Sequence, residues 1–334
     1  MTLDQAVDHA LGQAMAADDR VLTWGEDVRL LRRNLLARFG NDRVRDTPIS
    51  EGAFMYAGIG AAMAGLKPVV ELYMIDFAAV GWSAIVNGAA KFRDFSGGRW
   101  DIPLVIRAGA GAWYTDGGQH EQAHWGTLAA YPSITVVVPS TPADAAGLML
   151  TALQGDEFVV FLTPKLLDIQ MLEYLAGDSR KTVDFTSIIP ADGIRGEVPA
   201  VVEPIPFGTA AVRREGSDVA LISLAVGVHR CLEAAEVLAG EGIQAEVVDL
   251  RTVAPLDREA ILAAAAKTGR VVVVDEDYSR AGLTGEVAAL LLESGTQAKY
   301  ARVAVEQTIP FAPHLEHAAL PNVDRILAAV RGLA

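Results

Sequence analysis

The sequence predicts an α/β protein made of two doubly wound domains, each with a mainly parallel sheet. Three observations support this fold class. Short runs rich in Val and Ile alternate along the chain with stretches of helical periodicity. The runs show no strict polar alternation, which is typical of strands buried on both faces of a parallel sheet. The pattern stops once, in an irregular stretch with several prolines, and then resumes.

The first half of the chain begins with an amphipathic helix. Apolar residues between Leu3 and Met15 recur at helical spacing, and Thr2 with Gln5 forms a capping-box pattern. Strands are predicted at Val21–Trp24, Pro68–Tyr73, Pro103–Arg107, Ile134–Val138 and Phe158–Leu162. Helices are predicted between them, near Leu30–Phe39, Gly52–Ala64, Phe77–Phe95, Gln119–Ala130 and Pro142–Leu153.

The second half repeats the alternation. Strands are predicted at Asp218–Leu224, Gln244–Asp249, Arg270–Asp275 and Tyr300–Val305, and helices at Val228–Ala239, Asp257–Ala266, Gly282–Glu293 and Val323–Arg331. Between the halves, Leu166–Pro204 is irregular and contains Pro190 and Pro199. We therefore predict a first domain over residues 1–165, a linker with an insertion over 166–204, and a second domain over 205–334.

Charge and composition exclude several classes of function. The 334 residues include 42 acidic and 28 basic side chains, so the net charge is −14. Nucleic acid and anionic lipid would repel such a chain, and no apolar stretch of about 18 residues predicts a membrane span. The first nineteen residues carry four acids and no Lys or Arg, unlike a secretory signal. With Cys231 as the single cysteine, we expect a cytoplasmic protein without an internal disulfide.

One general catalytic motif matches. The P-loop and G-x-S-x-G patterns are absent, and Gly58, Gly60 and Gly65 miss the dinucleotide spacing. The run from His120 to His124 fits H-E-x-x-H, which on a helix places two imidazoles on one face for zinc, with Glu121 as the base. No third Glu or His follows one or two helical turns later. A zinc hydrolase therefore stays open as a remote alternative.

Many dispersed motifs in order resemble one family. The most specific are Asp46-Thr47-Pro48-Ile49-Ser50-Glu51, then Gly58-x-Gly60-Ala61-Ala62-x-Ala64-Gly65-Leu66-Lys67-Pro68-Val69-x-Glu71, and Asp76-Phe77. Further matches are Gly25-Glu26-Asp27-Val28, Ser96-Gly97-Gly98, Gln119-His120, Val138-Pro139-Ser140-Thr141-Pro142 and Val248-Asp249-Leu250-Arg251-Thr252. Together they resemble the β subunit of the E1 component of 2-oxo acid dehydrogenase complexes, a thiamine-diphosphate-dependent family within the transketolase group. The resemblance implies a transketolase-like pyrimidine-binding domain followed by a transketolase C-terminal-like domain.

The resemblance assigns roles to four side chains. It implies that the Glu51 carboxylate hydrogen-bonds the aminopyrimidine N1′ and so favours removal of the thiazolium C2 proton. It implies that Phe77 packs on the aminopyrimidine and that Ile49 also binds the cofactor. His120 matches the family histidine that acts on substrate-derived intermediates and the lipoyl group, as suits an imidazole near neutral pH. Glu121-Gln122 departs here from the usual Ser-Gln.

The resemblance also implies partners and ions. It places a structural potassium ion on the backbone carbonyls of Leu104, Ala152, Leu153, Gly155 and Glu157. The Gly-Asp-Gly motif that holds diphosphate and magnesium in thiamine enzymes is absent. We therefore expect a separate α subunit to supply the magnesium site in an α2β2 assembly. The second domain is expected to serve assembly and to contact the lipoyl-bearing E2 acyltransferase.

Three functional alternatives stay open alongside the zinc hydrolase. The leading interpretation is oxidative decarboxylation of a pyruvate-like or branched-chain 2-oxo acid with acyl transfer to lipoyl-E2. Acetoin cleavage is the nearest alternative, which Asp275–Tyr278 and Lys91–Arg93 slightly favour. A catalytically silent assembly subunit is the third. The short Arg29–Leu35 segment and the long Leu166–Ile194 connector depart from the family pattern and leave the substrate undecided.

Overall fold

The structure is a computed structural model, which describes residues 1–168 and 193–333. Its strands are β1 Val21–Gly25, β2 Val44–Asp46, β3 Lys67–Met74, β4 Val105–Ala110, β5 Thr135–Val137, β6 Val159–Pro164, β7 Ala211–Arg214, β8 Val219–Ser223, β9 Ala245–Asp249, β10 Thr252–Ala254, β11 Arg270–Tyr278 and β12 Lys299–Val305. Its α-helices are α1 Leu3–Ala17, α2 Val28–Leu31, α3 Arg33–Phe39, α4 Glu51–Met63, α5 Ala78–Ser83, α6 Phe92–Phe95, α7 Trp125–Ala129, α8 Pro142–Gln154, α9 Ala225–Gly240, α10 Arg258–Thr268, α11 Leu283–Ser294, α12 Pro313–Ala319 and α13 Val323–Arg331.

The first sheet has seven strands in the order β10-β5-β6-β4-β3-β1-β2. All its pairs are parallel except that of β10 with β5. The chain runs from β1 outward to β2 and then returns to the other side of β1 as β3. The switch point therefore lies between β1 and β3. Ligands of doubly wound sheets bind at the carboxyl ends of the strands beside such a point.

The second sheet has five strands in the order β12-β11-β8-β9-β7. Its pairs are parallel except that of the edge strand β7 with β9. Two doubly wound, mainly parallel sheets are thus the fold class that the sequence predicts. None of the helices in the described ranges combines the length and the apolar character that crossing a membrane requires.

The predicted strands form where apolar runs can be buried on both faces. Every residue of β1, β4, β6, β8 and β9 is buried, and β3 is buried at all positions but Tyr73. The capping box of α1 is also present, since Thr2 Oγ1 accepts from the Gln5 amide and Gln5 Oε1 from the Thr2 amide. Helix α1 packs its apolar face mainly against α8.

Three predicted helices differ from the structure. The stretch Leu30–Phe39 is broken at Arg32, whose side chain turns inward to buried acids. The stretch Phe77–Phe95 becomes a 3-10 turn, α5, a π-helical segment at Ala84–Ala89 and α6. Of Gln119–Ala130 only Trp125–Ala129 is helical, because a loop held by buried carboxylates precedes it.

The region between the two sheets is only partly described. Residues 169–192, which contain most of the predicted insertion, lie outside the described residues. The following residues pack along α1: Thr2 forms an isolated bridge with Arg195, and Gln13 exchanges hydrogen bonds with the Val202 backbone at 2.9 and 3.0 Å. The short strands β2, β7 and β10 were not predicted, and β10 joins the first sheet from the second half of the chain.

Candidate active site

Glu51 lies at the first position of α4, close to the switch point of the first sheet. Its side chain has no hydrogen-bond or ion-pair partner among the described residues, although the residue is only 8% exposed. A carboxylate that makes no hydrogen bond within its own chain is available to a ligand that supplies one. A ring nitrogen that shares a hydrogen with this carboxylate, as in thiamine diphosphate, fits it.

Phe77 and His120 come together beside this helix. Phe77 ends the 3-10 turn after β3, and His120 lies in the loop after β4, so both follow carboxyl ends of adjacent parallel strands. Their rings contact edge to face. The His120 Nδ1 is 3.5 Å from a carboxylate oxygen of Asp116, and the imidazole is partly exposed. Helix α4 packs on α5, which begins at Ala78 directly after Phe77.

Two buried glutamates hold the loop that carries His120. The Glu121 carboxylate accepts from the amides of Tyr114 and Gly117 at 3.0 and 2.9 Å. The Glu316 carboxylate, from α12 in the second half, accepts from the amides of Trp113 and Thr115 at 2.9 and 3.3 Å. Burial, then the charge of Glu121 and a hydrogen bond with it, raises the pKa of Glu316 to about 8. Glu316 therefore keeps its proton to a higher pH than an ordinary glutamate does.

This loop needs such support because of its backbone conformation. Trp113 and Thr115 have φ values of 84° and 64°, a left-handed conformation that costs energy in residues other than glycine. The four amides at positions 113, 114, 115 and 117 all donate to carboxylates. Glu121 thus acts inside the loop and does not face the cleft.

The carboxyl end of β11 also supports this loop and α7. Glu276 accepts a hydrogen bond from the Trp113 indole, and burial raises the pKa of Glu276 to about 8. The neighbouring Asp275 accepts from the Trp125 indole at 2.9 Å, and Asp277 accepts from the Gly126 amide at 2.8 Å. The Asp275–Tyr278 motif therefore positions the first domain's loop, a role that its sequence alone did not indicate.

Lys165 completes the support at the base of His120. Its fully buried ammonium donates to the His120 carbonyl and lies over the Tyr114 ring. The Asp76 carboxylate is 3.9 Å away and accepts from the Gln122 amide at 3.2 Å. Burial lowers the pKa of Lys165 to about 8. Sequence reasoning missed this lysine, because its contact with His120 spans 45 positions.

A buried charge cluster lies behind the strand ends. The Arg32 guanidinium contacts Asp4 at 2.7 Å, Asp8 at 3.2 Å and Glu71 at 2.9 Å. The Arg107 guanidinium also contacts all three of these carboxylates. Burial, followed by the opposing charge of Arg32, leaves the pKa of Asp8 well above its usual range. The Arg29–Leu35 segment thus has a structural role, since the break between α2 and α3 turns Arg32 inward.

The geometry does not support the zinc alternative. Residues 120–124 are not helical, and His124 has a left-handed φ of 57°, so the two imidazoles do not share a helix face. The Glu121 carboxylate is engaged by backbone amides and fully buried. Among the described residues, no group of three His, Cys, Asp or Glu side chains could hold a metal ion.

The carbonyls implied for potassium have a different cation beside them. Lys67 Nζ donates to the carbonyls of Leu153 and Gly155 at 3.3 and 2.9 Å. The Leu104 carbonyl accepts from the Val159 amide at 2.9 Å. A potassium ion on this set of oxygens would lie next to an ammonium group that uses the same ligands. Lys67 therefore shares two of the five carbonyls that the resemblance implies for potassium.

An exposed apolar face borders the candidate site. Ile49, two residues before Glu51, is 71% exposed, and Val80 on α5 is 69% exposed. Tyr56 on α4 is also exposed and joins the two helices through a hydrogen bond with Ser83 at 3.0 Å. We refer to Ile49, Tyr56 and Val80 as the α4–α5 face. Neighbouring exposed apolar side chains of this kind are typical of a surface that another chain covers.

Comparisons with known proteins agree with this architecture. Residues 1–168 match the transketolase pyrimidine-binding domain, and residues 208–326 match the transketolase C-terminal domain. A solved structure titled split gene transketolase, inactive beta4 tetramer, superposes with a TM-score of 0.78, covering 100% of this chain and 98% of that one. The two sequences are only 21% identical, so this likeness shows a shared fold and nothing more.

Curated relatives show to which branch of the transketolase group the chain is similar. The 2-oxoisovalerate dehydrogenase subunit beta of Bacillus subtilis is 37% identical, covering 100% of this chain and 98% of the relative. The acetoin:2,6-dichlorophenolindophenol oxidoreductase subunit beta of Cupriavidus necator is 36% identical, covering 99% of this chain and 96% of the relative. The pyruvate dehydrogenase E1 component subunit beta of Rickettsia felis is 35% identical, covering 99% of this chain and 97% of the relative.

These matches indicate both the cofactor of the chain and a partner subunit. A pyrimidine-binding domain implies thiamine diphosphate as cofactor, and relatives named as β subunits imply an α-subunit partner. The pyruvate, branched-chain and acetoin alternatives all fit the relatives, and none is favoured. The chain belongs to the β subunits of the E1 components of 2-oxo acid dehydrogenases, acetoin type included, within the transketolase-like group.

Proposed function

We propose that this chain provides the aminopyrimidine-activating half of an E1 active site. The observation that carries the proposal is the Glu51 carboxylate, nearly buried at the start of α4 and without a partner in the described residues. Thiamine diphosphate, when bound, supplies the carbanion chemistry that breaks a bond next to a carbonyl group. Glu51 would hold a proton shared with the aminopyrimidine N1′. Phe77 and Ile49 would pack against the cofactor as apolar surface.

His120 is proposed to act on the substrate side of the same site. Its imidazole lies against Phe77 and 3.5 Å from the Asp116 carboxylate, and it remains partly open to solvent. An imidazole so placed can transfer a proton to a substrate oxygen or stabilise negative charge there. The carboxylates of Glu121 and Glu316 keep its loop in one conformation, which is the preorganisation that such a role requires.

The reaction proposed is the oxidative decarboxylation of a 2-oxo acid. The bond between the carboxyl and carbonyl carbons breaks, carbon dioxide leaves, and the acyl group passes to a lipoyl sulfur of E2. The lipoyl disulfide is the oxidant, because it takes the electron pair and becomes a thiol and a thioester. Acetoin cleavage is retained as a second candidate, because the acetoin-type relative is 36% identical and the branched-chain relative 37%.

We further propose how the assembly completes this half site. The α subunit would pack on the α4–α5 face and supply the magnesium and diphosphate ligands that this chain lacks, so that turnover requires both chains. Two such pairs would form an α2β2 tetramer. The division at residues 165 and 205 would separate the pyrimidine-binding domain from a C-terminal domain that contacts E2.

Reconstitution with the α chain tests the proposal. The purified complex is assayed with pyruvate, branched-chain 2-oxo acids and acetoin, with 2,6-dichlorophenolindophenol as electron acceptor. We expect Glu51→Gln to lower turnover by about 10²-fold or more, with Glu51→Asp less impaired, since a positioned general acid or base contributes about that much. Glu259→Gln, an exposed acid in the first turn of α10, is the matched control.

Two outcomes would count against this function. If Glu51→Gln retains full thiamine-dependent turnover in an intact complex, the chain is a catalytically silent assembly subunit. If the isolated chain turns over a substrate without any α subunit, the half-site interpretation is wrong. Which substrate is used by the wild-type complex decides between the 2-oxo acid and acetoin candidates.

A further inference from the structure

An aromatic side chain of the second domain lies on the loop that carries His120. Phe311 belongs to the connection between β12 and α12, and its ring packs on Gly117. A Cβ atom at Gly117 would lie 2.6–2.8 Å from three atoms of this ring, so a larger residue there would displace it. Phe311 is nevertheless 58% exposed. The ring therefore contacts the loop and offers the rest of its surface to solvent.

Backbone hydrogen bonds fix Phe311 relative to His120. The Gly118 amide donates to the carbonyl of Ile309, two residues before Phe311, at 2.9 Å. The His120 amide donates to the Gly117 carbonyl at 3.0 Å, so residues 117–120 close one turn of backbone. Phe311 packs on the first residue of this turn, and the imidazole projects from the last. A ligand that reaches the imidazole along this turn therefore passes over Phe311.

The charges beside this turn select an uncharged ligand. Asp116 immediately precedes the turn, and its carboxylate is partly exposed and 3.5 Å from His120 Nδ1. The nearest cation, Lys165, is fully buried and already donates to the His120 carbonyl. A negatively charged ligand would be repelled by Asp116, whereas an apolar group would gain by covering the exposed ring of Phe311.

The proposed reaction has one reactant of this kind. The 2-oxo acid is an anion, and acetoin is short and polar, but the lipoyl group is uncharged and ends a hydrocarbon arm that enters from solvent. We propose that Phe311 binds the hydrocarbon arm of the lipoyl group and so determines how efficiently this acyl acceptor is used. The inference rests on the proposed function, because it requires a lipoyl acceptor, and it adds a residue of the second domain to the site.

A comparison of acceptors tests this role. The reconstituted complex is assayed with its preferred substrate and with 2,6-dichlorophenolindophenol, free lipoamide or the lipoylated domain of E2, and the thiol formed on the lipoyl group is titrated. For Phe311→Ala we expect kcat/KM for both lipoyl acceptors to fall about tenfold, as when burial of one apolar side chain is lost, while dye reduction stays within about twofold of the wild type.

Two further variants provide the controls. Phe311→Leu keeps an apolar side chain and should recover most of the loss. Leu292→Ala removes an apolar side chain that is 83% exposed on α11, and should behave like the wild type with every acceptor. Because Phe311 is more than half exposed, the melting temperature (Tm) of Phe311→Ala should stay within about 2 °C of the wild-type value.

Several results would overturn the proposal. Undiminished use of lipoamide by Phe311→Ala would do so, and so would a loss seen with the lipoylated domain alone, since the ring would then contact the E2 protein. An equal loss with the dye would show that Phe311 only supports the loop. If Phe311→Ala does not assemble with the α chain, Phe311→Gln takes its place, and failure of both to assemble would show that a subunit covers the ring. The proposed function fails separately, and this inference with it, if the wild-type complex reduces no dye with any substrate.

Discussion

The ring of Phe77 meets the imidazole of His120 edge to face, with 5.8 Å between the ring centroids and 89° between the ring planes. The two residues follow neighbouring strands, β3 and β4, and so come from adjacent carboxyl ends of one parallel sheet. The aromatic side chain proposed for the cofactor thereby also orients the histidine proposed for the substrate. A change to one residue should therefore affect the chemistry of the other.

Replacing this aromatic ring tests the coupling. We expect Phe77→Leu to lower turnover of the reconstituted complex roughly 3- to 10-fold, since an edge-to-face contact is worth about 0.5–1.5 kcal/mol. Steady-state kinetics with the preferred substrate measure the effect. Phe39→Leu, at the end of α3, is the control. If the Phe77→Leu and Phe39→Leu variants both turn over substrate at the wild-type rate, the contact between the Phe77 and His120 rings has no catalytic importance.

Lys165 should act as a positioning residue for the same histidine. Its buried ammonium donates to the His120 carbonyl, and burial lowers the pKa of Lys165 to about 8. We expect Lys165→Met to lower turnover about tenfold, because a lost hydrogen bond from a charged group costs about 1.5–3 kcal/mol. Wild-type turnover should also decline as the pH rises through about 8, where the lysine loses its charge. The pH–rate profile of the variant should lack that decline, and a profile identical to the wild type would contradict this role.

The Glu121–Glu316 pair should make stability depend on pH. The pKa of Glu316 is raised to about 8 in the folded protein, above its ordinary value of 4.5. Between these values the unfolded chain has lost a proton that the folded chain keeps, so folding stability falls as the pH rises. Glu316→Gln cannot ionise and should lack this contribution. We expect the Tm of the variant relative to the wild type to increase between pH 5 and pH 8.

Thermal melts across that pH range provide the measurement, and Glu259→Gln serves as the exposed control. The glutamine introduced by Glu316→Gln would still offer a side-chain oxygen to the amides that Glu316 binds, those of Trp113 and Thr115. A constant difference in Tm between the Glu316→Gln variant and the wild type at every pH would show that folding does not raise the pKa of Glu316.

The buried charge cluster should be sensitive to loss of one cation. Arg32→Met would leave Asp4, Asp8 and Glu71 facing Arg107 alone. We expect the free energy of unfolding to fall by about 3–5 kcal/mol, as when one partner of a buried ion pair is removed. Urea denaturation measures the change. The neighbouring Arg33 is exposed, so Arg33→Met should stay within about 0.5 kcal/mol of the wild type. Equal effects at both positions would show that the burial of Arg32 is energetically unimportant.

Sequence reasoning succeeded where burial leaves a local pattern. The Val- and Ile-rich runs predicted the central strands of both sheets, because a strand covered on both faces must be apolar throughout. The edge strands β2, β7 and β10 were missed, since three or four residues of mixed burial carry no such pattern. The helical periodicity at Gln119–Ala130 was misleading, because Glu121 within the stretch and Asp76 and Glu316 outside it hold backbone amides of this loop in another conformation.

The contacts around the site show the same limit. Glu51 and His120 could be named from short motifs, whereas Glu316 lies 203 positions from Trp113, the residue it supports. Arg32 and Lys67 resemble ordinary surface cations in the sequence. Only the fold shows that one faces three buried acids and the other caps a helix. A charged residue can be buried where the fold brings an oppositely charged or hydrogen-bonding group to it. When that group is far away in the sequence, the local sequence pattern gives no sign of the contact.

The antiparallel pairing of β10 with β5 ties the folding of the first sheet to residues beyond position 250. A fragment that stops at residue 204 would leave the backbone amides and carbonyls of Thr135–Val137 open along a sheet margin. Exposed margins of this kind recruit strands from other molecules. We therefore expect the first sheet to gain this edge strand only after residues 252–254 have left the ribosome, and we expect truncated products to aggregate.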